Sequence, residues 1–444
     1  MELEEVKKLI KEKQFTKLKE SLKEMKSADI SEILDELNKE EAIIVFRILS
    51  KGKAGETFSY MESDVREKLI QDLTDKELKN VMDELFMDDT VDLIEEMPSN
   101  IVPKILKAVS KEDRKVINEL LKYPEDSAGS MMTTEFIDLK ENMTVEQAIK
   151  RIRQIGTDSE TIYTSYVLST NRILEGILDI QDLLLAPKDK IIKDLMDTNF
   201  ISVNTLEDQE EVAKTLKKYD IYALPVVDKE NRLVGIITAD DAMDVLQEEV
   251  EEDFEKMAAI NPNEDGYFET SVFKHAKSRV FWLLILMLSS AITGTIITKY
   301  EEAFAALPLL VSFIPMIMGT GGNCGQQSST LIIRGIAIDE IEFKDIFRAL
   351  WKEARVALIV GVTLAIVNEI RILIQYHDMQ LAIVLGLTLI GTVLISKILG
   401  CVLPLLAKKV KLDPALMAAP LITTLVDICS ILIYFQFATS IMGL

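Results

Sequence analysis

One carboxylate stands near the centre of a long apolar run, Pro414-Ala-Leu-Met-Ala-Ala-Pro-Leu-Ile-Thr-Thr-Leu-Val-Asp427-Ile-Cys-Ser-Ile-Leu-Ile-Tyr434. Placing it in lipid costs roughly 2.5 to 3.5 kcal/mol, a cost met where the group faces a bundle interior or a pore. Thr423, one helical turn earlier on the same face, adds an oxygen beside it. A second apolar stretch, Leu307 to Met318, runs into Gly319-Thr-Gly-Gly-Asn323-Cys-Gly325-Gln-Gln327 before apolar character resumes at Leu331. Four glycines so close together are expected to break a helix, and a broken helix at membrane depth lines a water-filled or ion-binding cavity. The run is not a nucleotide loop: Cys324 stands where a GxGxxG needs its third glycine, and no strand precedes it.

Carboxylates also gather in two charge-rich stretches. Asp88-Asp-Thr-Val-Asp92 puts Asp88 and Asp92 one turn apart on one helix face. Asp240-Asp241-Ala-Met-Asp244-Val-Leu-Gln-Glu248-Glu249-Val-Glu-Glu252-Asp253-Phe-Glu255 reads as one long helix in which Asp244, Glu248 and Glu252 repeat at i,i+4. Like charges at that spacing destabilise a helix by a few tenths of a kcal/mol per pair, and bound cations remove the strain. If this helix faces Asp88 and Asp92, the compact arrangement repels itself until a divalent ion enters, and an ion that binds only that state stabilises it. A charged linker kept extended by its own repulsion is the plainer alternative.

The ligand inventory suits a hard cation. Cys324, Cys401 and Cys429 all fall in apolar stretches, and His275 and His377 have no soft ligand beside them, so neither a zinc site nor a disulfide framework can be built. Mg²⁺, Ca²⁺ and Mn²⁺ remain as oxygen-liganded candidates. No Ser/His/Asp or Cys/His set is present, which argues against an enzyme. The net charge of -23 excludes a nucleic-acid partner, because phosphate binding needs a basic footprint.

These residues need two solvents to position them. Hydrophobic residues crowd into roughly the last 40 per cent of the 444-residue chain, where runs reach about 20 residues, long enough to span a bilayer. Five spans are expected: 278 to 298, 305 to 333, 354 to 374, 379 to 406 and 414 to 440. Lys274, Lys277 and Arg279 precede the first, Arg334, Lys344, Arg348, Lys352 and Arg355 lie between the second and third, and Lys408, Lys409 and Lys411 between the fourth and fifth. The positive-inside rule then places the N-terminal half in the cytosol and the C-terminus outside. The opening Met-Glu-Leu-Glu-Glu has no basic region followed by an apolar core, so no cleaved signal peptide is expected. Glu369 and Arg371, at the outer end of the third span, read as snorkelling or paired groups. Five spans make a thin wall for a pore, which favours a homodimer with the pathway near its two-fold axis, embedded in membrane lipid.

In the charge-rich half, Val167-Leu-Ser-Thr-Asn-Arg-Ile-Leu-Glu-Gly176-Ile-Leu-Asp-Ile-Gln-Asp182 and Val226-Val-Asp-Lys-Glu-Asn-Arg-Leu-Val-Gly235-Ile-Ile-Thr-Ala-Asp-Asp241 align at one offset, each reading strand, turn, strand, helix. Amphipathic helices around Val145 to Gln154 and Glu210 to Lys218 precede them. The pair, residues 127 to 248, resembles tandem CBS domains, with Gly235, Thr238 and Asp241 as the family's glycine, threonine and aspartate and a weaker copy at Gly176, Asp179 and Asp182. That resemblance implies either an adenosine nucleotide such as ATP, held at Thr238 and Asp241, or a pair used only for dimerisation. Residues 1 to 126 read as short amphipathic helices in an all-α superhelix.

The order of acidic helical domain (1 to 126), α/β CBS pair (127 to 248), connecting helix (240 to 268) and five-helix transmembrane domain (269 to 444) resembles the MgtE family of Mg²⁺ channels and transporters over essentially the whole chain. The motifs that carry it are Pro315-Met-Ile-Met-Gly-Thr-Gly-Gly-Asn323-Cys-Gly325-Gln-Gln327 and Asp413-Pro-Ala with Pro420, Thr424 and Asp427. The resemblance implies a homodimer whose pore runs between the second and fifth spans, where Asp427 from both subunits, with Asn323, Gly325, Thr423 and Thr424, selects a hydrated Mg²⁺. It makes the connecting helix a plug that closes the pore when Mg²⁺ bridges it to the acidic domain, with Asp88, Asp92, Asp241, Asp244, Glu249 and Glu252 as sensing positions and Glu248, Asp253 and Glu255 beside them. This chain departs from the family at Cys324, Gln326 and Cys429-Ser430. Transport of Co²⁺, Mn²⁺ or Ca²⁺, a CBS-gated carrier of another solute, and a CBS-regulated membrane enzyme are the rival readings.

Overall fold

The structure, a computed structural model, describes residues 3–263, 266–268, 270–300, 307–417 and 419–443, and divides into two compact units, Met1–Gln247 and Glu248–Leu444. The first unit begins with ten short helices among the described residues, α1 (Leu3–Lys11) to α10 (Lys111–Leu120), the eighth of which, α8, spans Met87–Glu96. Three of these starts carry side-chain caps that satisfy otherwise orphaned amides. Asn38 accepts from the Glu41 amide, Ser110 from Asp113, and Thr74 with Glu77 forms a reciprocal capping box. Each helix buries one stripe, and Leu18, Leu34, Phe58, Leu78 and Val91 join a core that continues into the second copy of the sequence repeat at Leu224, Val226, Ile237 and Val245.

The two copies of the sequence repeat are two three-stranded sheets of the same topology. In the first, β1 (Ile137–Leu139) runs parallel to β2 (Thr164–Leu168), which pairs antiparallel with β3 (Leu174–Asp179); in the second, β4 (Val203–Asn204), β5 (Ala223–Val227) and β6 (Leu233–Thr238) repeat the order. Helices α11 (Val145–Ile155) and α12 (Ile180–Leu185) flank the first copy, and α13 (Gln209–Tyr219) and α14 (Ala239–Met257) the second. The repeated glycines are needed for close approach. A Cβ at Gly176 would meet the Asp197 carbonyl at 2.9 Å, and one at Gly235 the Thr133 carbonyl at 2.6 Å. In each case the adjoining segment pairs with the strand: Thr133 exchanges backbone hydrogen bonds with Ile236, and Asp197 with Ile177.

In the second unit, α15 (Val272–Thr298), α16 (Ile314–Ala337), α17 (Ile346–Tyr376), α18 (Met379–Lys409) and α19 (Ala419–Met442) stand for the five expected spans, and residues 305 and 306 of the second and 418 of the fifth lie outside the described ones. Four of them are long and apolar enough to cross a membrane. The fifth, α16, is 24 residues long, enough for about 36 Å, but carries the small and amide run. The expected break there does not occur: α16 is continuous through Gly319, Gly321, Gly322 and Gly325. Each glycine costs about 1 kcal/mol relative to alanine in a helix interior, but a bilayer offers freed amides no water, so the intact helix wins. What Gly321, Gly322 and Gly325 provide is proximity. A Cβ at Gly321 would meet Val426, Thr392 and Ser430 at 2.7, 2.8 and 2.9 Å, and one at Gly325 would meet Ile422 at 2.7 Å, so α16 packs backbone-close on α18 and α19.

Candidate functional site

The membrane candidate forms where α16 meets α19. Gly322 leaves room for the Thr423 methyl, 3.1 Å from where a Cβ would stand, which brings the glycine run beside the helix carrying Asp427. Asp427 follows Thr423 and Thr424 by one turn and is half-buried, and its Oδ1 is buried with no hydrogen-bond partner. Ser430 and Thr392, both 1% exposed and each with an unpartnered hydroxyl, flank the same packing point at Gly321.

On α16 the polar residues sort by face. Cys324, Gly325 and Ser328 are buried, whereas Gly319, Asn323, Gln326, Gln327 and Thr330, spaced at helical periodicity, form an exposed stripe. Asn323 therefore presents its amide to the open side. Gly325 is a packing position, with its carbonyl against Gly400 of α18 and no freed backbone group to offer. An exposed amide stripe on a helix of this length is unfavourable against lipid and favourable against water or another polar chain.

The second candidate lies in the first unit, where the carboxylates of α8 and of the start of α14 converge. Asp88 is 8% exposed, and burial first, then the charges of Asp241, Asp89 and Glu160, push its carboxyl well above the usual range. Burial and then Asp241 raise Asp89 to about 6, partly offset by Arg66. Asp92 rises to about 8 through burial and then Glu96, Asp89, Glu95 and Asp241, although its side chain keeps a water-exposed surface that screens part of the effect. Asp241 rises to about 6 by burial, against the stabilising hydrogen bonds that its Oδ2 accepts from the Thr238 hydroxyl at 2.5 Å and amide at 3.2 Å. Asp244 is raised by burial and then by Asp240. The expected meeting of Asp88 and Asp92 with Asp241 is therefore present, and Thr238 orients Asp241.

The same cluster contains residues that sequence patterning passed over. Glu160, in the turn before β2, is pushed up to about 8 by burial and then by Asp241, Asp240, Asp89 and Glu135, and its Oε2 is buried without a partner. Its sequence context, Thr-Asp-Ser-Glu in a loop, gives no periodic signal. Among the described residues no three His, Cys, Asp or Glu side chains close into a ready-made metal cage. The group is a set of mutually repelling oxygens, which is the donor chemistry a hard divalent cation takes.

The remaining acidic positions lie on the part of α14 in the second unit. Glu252 pairs with Lys256 at 2.6 Å, and Glu255 accepts from the Asn263 amide at 2.9 Å. Glu248 is exposed, and Glu249 and Asp253 are partly so. Lys256 also pairs with Asp413 at 2.7 Å, and Asp413 accepts from the Ala415 amide at 2.7 Å just ahead of α19. The end of α14 is thereby tied to the segment leading into the Asp427 helix. In the two repeat copies, Tyr163 and Tyr222 occupy equivalent places: their carbonyls accept from the Ile180 and Ala239 amides, and their exposed rings stand 6.3 Å apart.

Comparison with known proteins gives family matches for three stretches of the chain. Residues 314–437 match the family described as a divalent cation transporter, MgtE; residues 25–126 match the MgtE intracellular N domain, and residues 128–189 and 192–248 match CBS domains. The chain is 34% identical over 424 residues to the magnesium transporter MgtE of Thermus thermophilus, covering 95% of this chain and 94% of that one. It is 33% identical over 432 residues to the magnesium transporter MgtE of Bacillus subtilis, covering 94% and 95%. Among solved structures, the cytosolic domain of the Mg²⁺ channel MgtE in complex with ATP superposes with a TM-score of 0.53 at 33% identity, covering 55% of this chain and 100% of that one.

Proposed function

The chain belongs to the MgtE family, and on that premise we propose that it passes Mg²⁺ across the membrane and is closed by Mg²⁺ in the cytosol. The observation that carries the transport reading is the junction of α16 and α19, where a half-buried carboxylate with an unbonded oxygen adjoins a helix that exposes an amide stripe. Mg²⁺ sheds water reluctantly, so a pathway suited to it contacts the hydration shell with carboxylate, amide and hydroxyl oxygens. Asp427 supplies the charge; Asn323, Thr423 and Thr424 supply neutral polar contacts; Gly322 and Gly325 let the helices approach.

A homodimer supports this arrangement best, because two copies facing across a two-fold axis would cover both amide stripes and bring two Asp427 carboxylates to one ion. In this reading the N-terminal half lies in the cytosol and the C-terminus outside, as the basic loops favour.

The acidic cluster of Asp88, Asp89, Asp92, Glu160, Asp240, Asp241 and Asp244 is the regulatory site. Without a cation the raised carboxyls of Asp88, Asp89, Asp92, Glu160, Asp241 and Asp244 oppose the compact arrangement, and Mg²⁺ removes that opposition. α14 begins in this cluster and carries Lys256 in its last turn, whose pairing with Asp413 gives it a hold on α19. Glu248, Glu249, Glu252, Asp253 and Glu255 extend the acidic surface along the same helix. ATP at the CBS pair, near Thr238 and Asp241, is the proposed second regulator, supported by the likeness to the ATP-bound cytosolic domain. Flux into liposomes, compared for Mg²⁺, Ca²⁺, Mn²⁺ and Co²⁺, tests the function. Mg²⁺ is expected to pass best and to shut its own flux when raised to millimolar levels on the cytosolic face; a different ion passing best, or no ion passing, overturns the reading.

A further inference from the structure

The membrane unit holds a buried charge pair that the pathway described above leaves unused. Lys397, near the middle of α18, is 4% exposed and Glu353 on α17 is 8% exposed. They stand 3.5 Å apart, and the fully buried hydroxyl of Ser328 on α16 joins them, donating to Glu353 Oε2 at 2.5 Å and accepting from Lys397 Nζ at 3.1 Å. Three helices thus meet at one polar knot.

Stability gives little reason to keep such a knot, because a buried ion pair at best matches apolar residues of the same volume. Its place on α16 gives a better one. Ser328 directly follows Gln327, the end of the small and amide run. One turn beyond Lys397, a Cβ at Gly400 would meet the Gly325 carbonyl and, at 3.0 Å, the Ser328 Cβ. A contact of glycine against backbone is smooth and leaves rotation and axial slip of α16 weakly defined. Charge-assisted hydrogen bonds are directional and define both. Rotation by one residue, about 100° on a helix, would turn the Asn323 stripe away from the Asp427 side.

We propose that Lys397 and Glu353 are positioning residues that, through Ser328, fix the rotation and register of α16 so that its amide stripe stays aligned with Asp427. This rests on the reading that α16 lines the cation pathway. Three variants of the full chain in liposomes test it. Ser328→Ala removes the bridge alone, Glu353→Leu with Lys397→Met removes both charges at similar volume, and Glu353→Lys with Lys397→Glu exchanges them.

Flux is scored per folded chain, with the thermal midpoint and gel-filtration profile as fold controls. The apolar pair is expected to keep its midpoint while losing at least about tenfold in Mg²⁺ flux, as misplacement of a polar site does, and to discriminate less between Mg²⁺ and Ca²⁺. Ser328→Ala is expected to lose about threefold, and the exchanged pair to recover to within about threefold of the parent. A merely structural role would shift the midpoint and leave ion discrimination per folded chain unchanged. Parent-like flux and discrimination in the apolar pair, or in Ser328→Ala should that pair fail to fold, overturns the proposal. Asp427→Ala measured alongside separates the two readings. Normal flux there removes the pathway itself, whereas silence there beside a parent-like apolar pair removes only the positioning role.

Discussion

Glu160→Gln removes one ionisable carboxyl from the acidic cluster at nearly constant shape, and its effect can be worked from the structure. The glutamate is held at about 8 against an ordinary value of 4.5. Keeping it protonated at pH 7 in the compact arrangement costs about 1.36 kcal/mol for each pH unit above the ordinary value, or about 3.4 kcal/mol. The side chain still reaches water in part, and screening brings this to about 2 kcal/mol. The variant's compact, metal-free state is therefore favoured by about 2 kcal/mol, roughly a thirtyfold shift toward it. Limited proteolysis of the full chain in detergent without Mg²⁺ reads this directly. Cleavage in the first unit should slow at pH 7, the further protection gained on adding Mg²⁺ should shrink, and parent and variant should converge near pH 5, where the glutamate is protonated in the compact state at little cost. A metal-free cleavage rate at pH 7 equal to or faster than the parent's would refute the reasoning.

The wider pH dependence follows from the same cluster. Asp88, Asp89, Asp92, Glu160 and Asp241 all have raised values, so the compact state binds more protons than an opened one between about pH 4 and about pH 8, and its metal-free stability falls as pH rises through that window. Protection by Mg²⁺ should accordingly grow from acid to alkaline pH, and Mg²⁺ binding should release protons, measurable by calorimetry in buffers of different ionisation enthalpy. Gly321→Val should lower the thermal midpoint and cut flux, because its side chain would enter the space of Val426, Thr392 and Ser430; overpacking of this kind costs about 1 to 3 kcal/mol, and an unchanged midpoint would contradict the packing. Lys256→Ala breaks the ion pairs to Glu252 and Asp413 and should leave flux present but less sensitive to cytosolic Mg²⁺; unchanged inhibition would count against α14 acting through this contact.

Much of the fold was legible because its signals are local and periodic. The CBS repeat announced itself by two glycines at one offset, and the structure explains them as close approaches of Thr133 and Asp197 to the strands. The spans were legible from apolar length and the basic loops between them. The glycine run was misread in one respect: glycine is a weak helix former in water, but in lipid the absence of competing hydrogen bonds preserves the helix and turns its glycines into packing sites. Asp427 stood out as a lone charge in an apolar run. Lys397 carries the same signal in the fourth span, yet the sequence reading passes over it, and its partners could not be read at all, since Glu353 and Ser328 come from other helices. Glu160 lay beyond sequence reading for a similar reason, because only the folded chain brings that loop to Asp88 and Asp241.

The central claim, that Mg²⁺ crosses beside the carboxylate of α19, is tested most directly by Mg²⁺ flux into liposomes carrying Asp427→Ala. The variant should fold and associate as the parent does, since the aspartate's Oδ1 has no hydrogen bond to lose, and its Mg²⁺ uptake should fall to the level of empty liposomes. Uptake equal to the parent's would place the ion elsewhere and contradict the account.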